Sequence, residues 1–313
     1  MKSVTAIAVV ACCLASVAGA ADWPVWLGPT GNGIAPDTGI NKDWNARPPQ
    51  ELWRVPLSDQ GFAGPSVAEG RVFIVDHQGD QDLVRALALG TGAEIWRFAY
   101  ADLAEFDHGF SRATPVFVEG NLYTISYLGK VHCLNAATGE KVWMRDMPSE
   151  FGGTRPQWGY AMSAFIDGEK LIICPGGANA SVAALNRLTG ETIWTGGGSD
   201  IPGYATPAKV TLNGEEQYLV FAGTSFLGVA ADDGELLWQV PWVNQWKVNA
   251  ATPFAIGERV IFTSGYGAGC AAIEIGAQGV ETKWKHTEVC ARFTTPIYYN
   301  DWIFANSESG SML

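Results

Sequence analysis

The chain has 313 residues and a formal net charge of −12; 47% of it is apolar, with 13 Trp and 37 Gly. With 20 Lys and Arg against 32 Asp and Glu, it lacks the basic surface that attracts phosphate, which excludes nucleic acid as a partner. The apolar and aromatic content can bury a core, which excludes disorder, and many Gly and Trp among few charges point to tightly turned β-structure.

Residues 1–21 read as a secretory signal peptide. Lys2 supplies the positive start, Val4 to Val17 is uncharged and apolar, and Ala18-Gly19-Ala20 offers a small-x-small cleavage site. The expected location is the periplasm or outside the cell. A rival reading takes Val9-Val10-Ala11-Cys12 as a lipobox, with a lipid anchor on Cys12. No other segment reaches 18 apolar residues, so no integral membrane protein is expected. Cys133, Cys174, Cys270 and Cys290 remain after cleavage, in an oxidising compartment, and three full pairings are open. Buried unpaired thiols inside strands are the ordinary reading of Cys133 and Cys174. No C-x-x-C or other ligand spacing is present, so no metal site is expected.

Residues 22–50 form a lead-in. Beyond it, a Trp recurs at Trp53, Trp96, Trp143, Trp194, Trp238 and Trp284. Before most of them stands one pattern: LALGTGAEIW (87–96), CLNAATGEKVW (133–143), ALNRLTGETIW (184–194) and VAADDGELLW (229–238); IEIGAQGVETKW (273–284) is a degenerate fifth. Gly92, Gly139, Gly190 and Gly234, with Gly279 in the fifth unit, fall where a turn needs positive φ. Units open on a small-Thr-Pro start, as in Ala113-Thr114-Pro115 and Ala205-Thr206-Pro207. Between these marks run four short β-branched or aromatic segments bounded by Gly, Asn and Asp. Four strands per repeat of roughly 45 residues predict an all-β fold, a β-propeller of four-stranded blades.

The propeller is expected over 51–313. Five complete blades are placed at about 62–98, 112–145, 160–196, 204–240 and 250–286, with a partial one at 293–313. Residues 51–55 read as a closing strand that completes the last blade. Gly310-Ser311-Met312-Leu313 matches the opening of a third strand, Gly129-Lys130-Val131-His132. The ring then either closes at six on a stub or belongs to a seven- or eight-bladed protein cut short, and truncation is the expectation.

The unit L-[ND]-x-x-T-G-E-x-x-W resembles the tryptophan-docking motif of pyrroloquinoline-quinone (PQQ) repeat propellers. The opening ADWPVWLGPTGNG (21–33) and the segments WGYAMSAFIDGEKLIICPGG (158–177) and PGYATPAKV (202–210) resemble secreted PQQ-like repeat proteins of the planctomycete type. The resemblance covers nearly all of the mature chain. It implies one of two functions: a non-catalytic scaffold, like the propeller lipoprotein of the outer-membrane β-barrel assembly machinery, or a quinoprotein dehydrogenase. The dehydrogenases hold PQQ between a Trp and a vicinal Cys-Cys disulfide, over a Ca²⁺ bound by Glu, Asn and Asp. Here the only Cys-Cys is Cys12-Cys13, within the signal. The acidic run Asp76 to Asp82 reads as a hairpin turn rather than a Ca²⁺ loop. No cofactor is therefore expected, and PQQ with Ca²⁺ enters only under the oxidoreductase alternative, with ligands partly in a missing C-terminal portion. No catalytic residues are assigned.

The expected role is an exported binding scaffold, with an unknown protein or small molecule held at the propeller funnel. The linkers between blades carry the candidate face: Asp107, His108, Arg112, Arg155, Trp158, Tyr160, Tyr204, Trp246, Lys247, Asn249 and Arg292. Aromatic and Arg side chains dominate recognition surfaces, and loops tolerate them without disturbing a scaffold.

Overall fold

A computed structural model of the chain describes residues 20–58, 61–103, 109–276 and 278–308. Residues 1–19, over which most of the signal peptide is expected and where the rival lipobox reading places Cys12, lie outside the described residues, as do Asp107, His108 and 309–313.

Each repeat folds as one antiparallel sheet with its strands in chain order. Blade one holds β1 (Ser66–Ala68), β2 (Arg71–Gln78), β3 (Gln81–Ala88) and β4 (Glu94–Ala101). Blade two holds β5 (Val116–Val118), β6 (Asn121–Ile125), β7 (Lys130–Asn135) and β8 (Lys141–Asp146). Blade three holds β9 (Phe165–Asp167), β10 (Lys170–Ile173), β11 (Val182–Asn186) and β12 (Thr192–Gly196). Blade four holds β13 (Ala208–Leu212), β14 (Glu215–Phe221), β15 (Ser225–Ala230) and β16 (Leu236–Pro241). Blade five holds β17 (Phe254–Ile256), β18 (Arg259–Ser264), β19 (Gly269–Gly276) and β20 (Gly279–His286). A two-stranded sheet follows, β21 (Ile297–Tyr299) with β22 (Trp302–Phe304). Consecutive sheets share apolar cores face to face, the arrangement of a β-propeller: Phe73 and Val84 of blade one pack with Leu122 and Leu134 of blade two, and Leu219 and Phe226 of blade four with Val260 and Phe262 of blade five.

The third turn of each blade follows from its sequence. In blade two the Asn135 side chain accepts from the amides of Ala137 (2.9 Å) and Thr138 (3.0 Å), and the Thr138 hydroxyl donates to Glu140 (3.2 Å). Asn186, Leu188, Thr189 and Glu191 repeat these bonds in blade three. The turn delivers Gly139 at φ 77° and Gly190 at φ 77°, a region open to Gly without a Cβ penalty. A β-bulge then falls opposite the Trp in all five four-stranded sheets, as between Cys133 and Leu134 across from Trp143. The extra residue re-aims the Trp side chain.

In blades one to three that Trp lies flat on the glycine of the following blade, and Trp53 does the same on blade one; Trp284 of blade five meets no such glycine among the described residues. A Cβ on Gly92 would come within 2.6 Å of the Trp53 ring, on Gly139 within 2.6 Å of Trp96, on Gly190 within 2.8 Å of Trp143, and on Gly234 within 2.5 Å of Trp194. Three of these indoles donate to the carbonyl three residues before the glycine: Trp53 to Leu89 (2.7 Å), Trp96 to Ala136 (3.0 Å) and Trp143 to Arg187 (3.0 Å). At Trp194 the corresponding carbonyl, Ala231, takes the Lys170 ammonium instead, and the indole N–H is buried with no partner. Trp238 departs further. The degenerate fifth turn leaves Gly279 in open space, so Trp238 packs among blades four and five and donates to Gln217 of its own blade (2.6 Å).

Residues 51–57, expected to include a closing strand, pair with no strand among the described residues. Trp53 nevertheless occupies the docking position on blade one. An unforeseen helix, α1 (Met147–Phe151), follows blade two. Its signal is local: Asp146 caps it by accepting from the Ser149 amide, Pro148 sits in its first turn, and Gly152 ends it at φ 65°.

The small-Thr-Pro starts form a latch between blades. The Thr114 amide donates to the Ser163 hydroxyl (3.1 Å), the Ser163 amide to Thr206 (2.9 Å), and the Thr252 amide to Thr295 (3.0 Å). The lead-in lies across the same inner edge. Trp23 makes a two-way backbone bridge with Val67, Pro24 accepts from the Phe117 amide (2.8 Å), and the Trp26 indole donates to Thr252 (2.9 Å). The W-P-x-W-x-G segment thus touches blades one, two and five. Gly28, at φ 79°, is where the Trp23 ring folds back onto the chain.

Two glycines with nearly equal backbones separate docking from conformation. Gly139→Ala should cost roughly 2–4 kcal/mol, because the methyl displaces Trp96 as well as straining φ. Gly120→Ala, at φ 78° with nothing within 4 Å of the added carbon, should cost about 1 kcal/mol. Urea unfolding midpoints check this; equal losses would contradict it.

Candidate functional site: an aromatic funnel

A cavity of about 590 Å³ opens where the blade linkers converge. Trp26 of the lead-in lines it together with Ala161, Ser163 and Thr206 from the latch region. Its walls are Phe62, Arg112, Trp158, Tyr204, Val248, Ala250, Tyr266 and Phe293.

The linkers bring some expected residues together. Arg112 is half-buried, lies 5.1 Å over the Phe62 ring and 5.8 Å over Tyr127, and donates to the Gly109 carbonyl. Burial lowers its pKa, opposed by Tyr127 and Tyr204. Trp158 meets Tyr204 at 6.4 Å and Trp246 at 5.8 Å, edge-on to the latter. The Tyr204 hydroxyl accepts from the Trp158 amide (3.2 Å), and burial pushes its pKa up to about 12. Arg155 donates to the Tyr127 hydroxyl (3.0 Å) and lies over its ring. Arg292 lies 4.4 Å over Tyr266 and donates to Glu308 (2.7 Å). Trp246, exposed at 44%, reaches the cavity only through its contact with Trp158, and the exposed Lys247, in the left-handed region at φ 56°, is not among the lining residues.

Two expected residues do other work. Tyr160 is buried, with its ring against Gly129 and its hydroxyl on the Pro175 carbonyl (2.9 Å). Asn249 is fully buried; its side chain donates to the carbonyls of Ala222 and Trp242 and its own carbonyl accepts from Tyr204 and Ala205. Asn249 therefore fixes the linker that carries Tyr204 and does not face the cavity. Trp26, Phe62, Tyr266 and Phe293 were missed. Each stands beside a turn or a blade-opening motif, which made the motif visible and the wall residue not.

A buried polar cluster positions this wall. The Asp82 carboxylate meets His77 Nδ1 at 2.8 Å and accepts from Tyr100 (3.1 Å) and Ser111 (3.3 Å). Phe110 stacks on the His77 ring at 3.9 Å, and the Ser111 carbonyl accepts from the Phe62 and Ala63 amides. The segment ending in Arg112 is thereby tied to the interior of blade one. Asp102 anchors the loop bearing Tyr127, accepting from the Ser126 hydroxyl (3.0 Å) and the Leu128 amide (3.3 Å). Burial, reinforced by Asp82, pushes its pKa up to about 6.

The repeats and the funnel define a class, the β-propeller built from tryptophan-docked, PQQ-type repeats. Within that class, the chain belongs to the family described as "Outer membrane protein assembly factor BamB", which matches residues 79–313. It is 26% identical to BamB of Salmonella typhimurium over 163 residues, covering 51% of this chain and 37% of that protein. It is 33% identical to BamB of Alteromonas naphthalenivorans over 105 residues, covering 31% and 24%. The chain thus spans less than half the length of these curated relatives. Among solved structures, BamB from Moraxella catarrhalis superposes with a TM-score of 0.59 at 17% identity, covering 83% of this chain and 74% of that one. A europium-containing methanol dehydrogenase gives 0.59 at 12% identity, covering 93% and 68%. These last two likenesses concern the fold alone. No helix among the described residues is long and apolar enough to cross a membrane.

The raised Asp102 pKa has a signed consequence. The folded chain takes up this proton as pH falls through about 6, the unfolded chain only near 3.8, so Asp102 adds stability as pH falls and removes it as pH rises through 6. His132, buried neutral with its pKa pushed down to about 3, acts oppositely below 6.5. The comparison with Asp102→Asn isolates the first effect. The melting-temperature advantage of the Asn variant should be larger at about pH 7.5 than at about pH 5; a constant difference would contradict the burial of this charge.

Proposed function

We propose that the protein is an exported binding scaffold whose funnel holds a segment of another envelope protein, without chemistry of its own. The observation that carries this reading is the funnel wall, with aromatic rings and an Arg converging on one concave, mostly apolar cavity. Such residues anchor recognition when they are preorganised. The family is described as an assembly factor for outer membrane proteins, which supports a protein partner in the cell envelope and an exported location, whether free in the periplasm or held by a lipid on Cys12.

The quinoprotein alternative asks for PQQ over a metal. The cavity offers aromatic faces to such a ring, but none of its lining residues is a carboxylate. No group of three His, Cys, Asp or Glu among the described residues is placed to hold a metal ion. These residues do not fit a PQQ–metal pair, and no oxidation step is derived from them.

The test is site-specific photocrosslinking in a bacterial host expressing the whole chain with its own leader. A crosslinking residue at Trp246 should capture an envelope protein, and one at exposed Ile193 on an outer strand should not. Adding Arg112→Ala with Trp158→Ala should cut capture roughly 10- to 100-fold, the loss expected for two anchors, with little change in melting temperature. Equal capture at both positions, or capture insensitive to the double substitution, would refute the funnel. Dye reduction on adding PQQ and Ca²⁺ with an alcohol would favour the alternative.

A further inference from the structure

The four cysteines of the described residues are buried free thiols, and they fall into two pairs by place. Cys133 and Cys174 belong to the core shared by blades two to four. Burial pushes their thiols up to about 11 and about 12, which leaves little thiolate to react. Cys270 and Cys290 lie outside that core.

Cys270 is at the start of β19, where Thr263 of β18 faces it on one side and His286 of β20 on the other. Cys290 follows the end of β20 in the linker to β21, its thiol on the Thr287 carbonyl at 3.1 Å. The linker turns back at once, because the Ala291 amide donates to Thr263 Oγ1 at 3.1 Å. Cys290 is thereby returned beside the residue that faces Cys270. The approach is close at Gly269, where an added carbon would stand 2.8 Å from Thr287 Cα. A cavity of about 200 Å³ adjoins Cys270, lined also by Thr263, His286 and Val289. It gives the Cys270 side chain room to turn.

We propose that Cys270 and Cys290 are oxidised to a disulfide in the exported protein, and that the bridge pins the linker carrying Arg292 and Phe293 to the funnel wall. The proposal rests on the export reading for its oxidising compartment. Two thiols lose two protons and two electrons as the S–S bond forms. The oxidant is a disulfide, of glutathione or of a protein, whose S–S bond is reduced to two thiols. The Cys270 thiol is raised by burial and then by Cys290, which slows exchange and equally shields a formed bridge from reductants.

The test uses the full chain, reduced and then equilibrated in a glutathione buffer rich in the disulfide form. Unreduced peptide mapping should find Cys270 linked to Cys290, two hydrogen masses lighter than the separate thiols, with Cys133 and Cys174 alkylated only after unfolding. Reduction should lower the melting temperature by roughly 5–10 °C, as expected for a closed loop of about 20 residues in a domain this large. Cys290→Ser and Cys270→Ala should each remove the linked peptide and make the melting temperature insensitive to reductant. Stoichiometric alkylation of both thiols, stable glutathione adducts or any other pairing would overturn the proposal. In a host expressing the chain with its leader, the bridge should be present in the periplasmic fraction. Retention of the chain in the cytoplasm would count against the export reading alone, since the glutathione experiment still decides the pairing.

Discussion

The structure depends on one contact repeated around the ring: an indole lying on a glycine of the next blade. Each side of the contact is prepared separately. The Asn–Thr–Gly–Glu turn satisfies its own amides and leaves a glycine with φ near +77° and no side chain above it. The β-bulge opposite the Trp aims the ring outward from its own sheet. At Trp53, Trp96 and Trp143 an indole N–H to carbonyl bond fixes the angle as well as the distance, whereas at Trp194 Lys170 takes that carbonyl and the ring docks without the bond. Where the turn degenerates, at Gly279, the ring stays packed but its N–H turns to Gln217 of its own blade. Docking therefore sets blade orientation, and the apolar cores fill the space that it defines.

The inner edge is built from weaker but cooperative parts. Hydroxyls of Ser163, Thr206 and Thr295 each accept an amide from the preceding blade. The lead-in crosses this edge with two Trp and joins blades far apart in sequence, as the Trp26–Thr252 bond shows. The funnel is the space left above that crossing. Most of its wall residues come from linkers, with Tyr266 from the β18–β19 turn, and buried groups hold the neighbouring segments: Asp82 the Arg112 segment, Asp102 the β6–β7 turn bearing Tyr127, and Asn249 the Tyr204 linker.

The fold was legible because the Trp, the Gly and the Thr-Pro start recur at fixed places, and no other architecture needs all three in one cycle. The site was legible only in outline. Arg112, Trp158 and Tyr204 could be found because linkers of a propeller gather on one face. Tyr160 and Asn249 were offered as site residues on the same ground, yet side-chain direction depends on packing that a linker's sequence does not encode. Trp26 was hidden for another reason. Its partner is 226 residues away, and nothing local to the W-P-x-W segment indicates that it lies across the inner edge. The helix at Met147–Phe151 was within reach, since Asp146, Pro148 and Gly152 mark its ends.

The central claim is that ring and glycine act as one unit, and a double-mutant cycle on Trp143 and Gly190 tests it most directly. Trp143→Ala and Gly190→Ala each remove the same contact, so the second substitution should cost little beyond backbone strain once the first is present. The account expects a coupling energy of roughly 1–3 kcal/mol from urea unfolding of the four proteins. Additive losses, with no coupling beyond about 0.5 kcal/mol, would mean that the indole and the glycine stabilise the propeller independently, and would contradict docking as its organising contact.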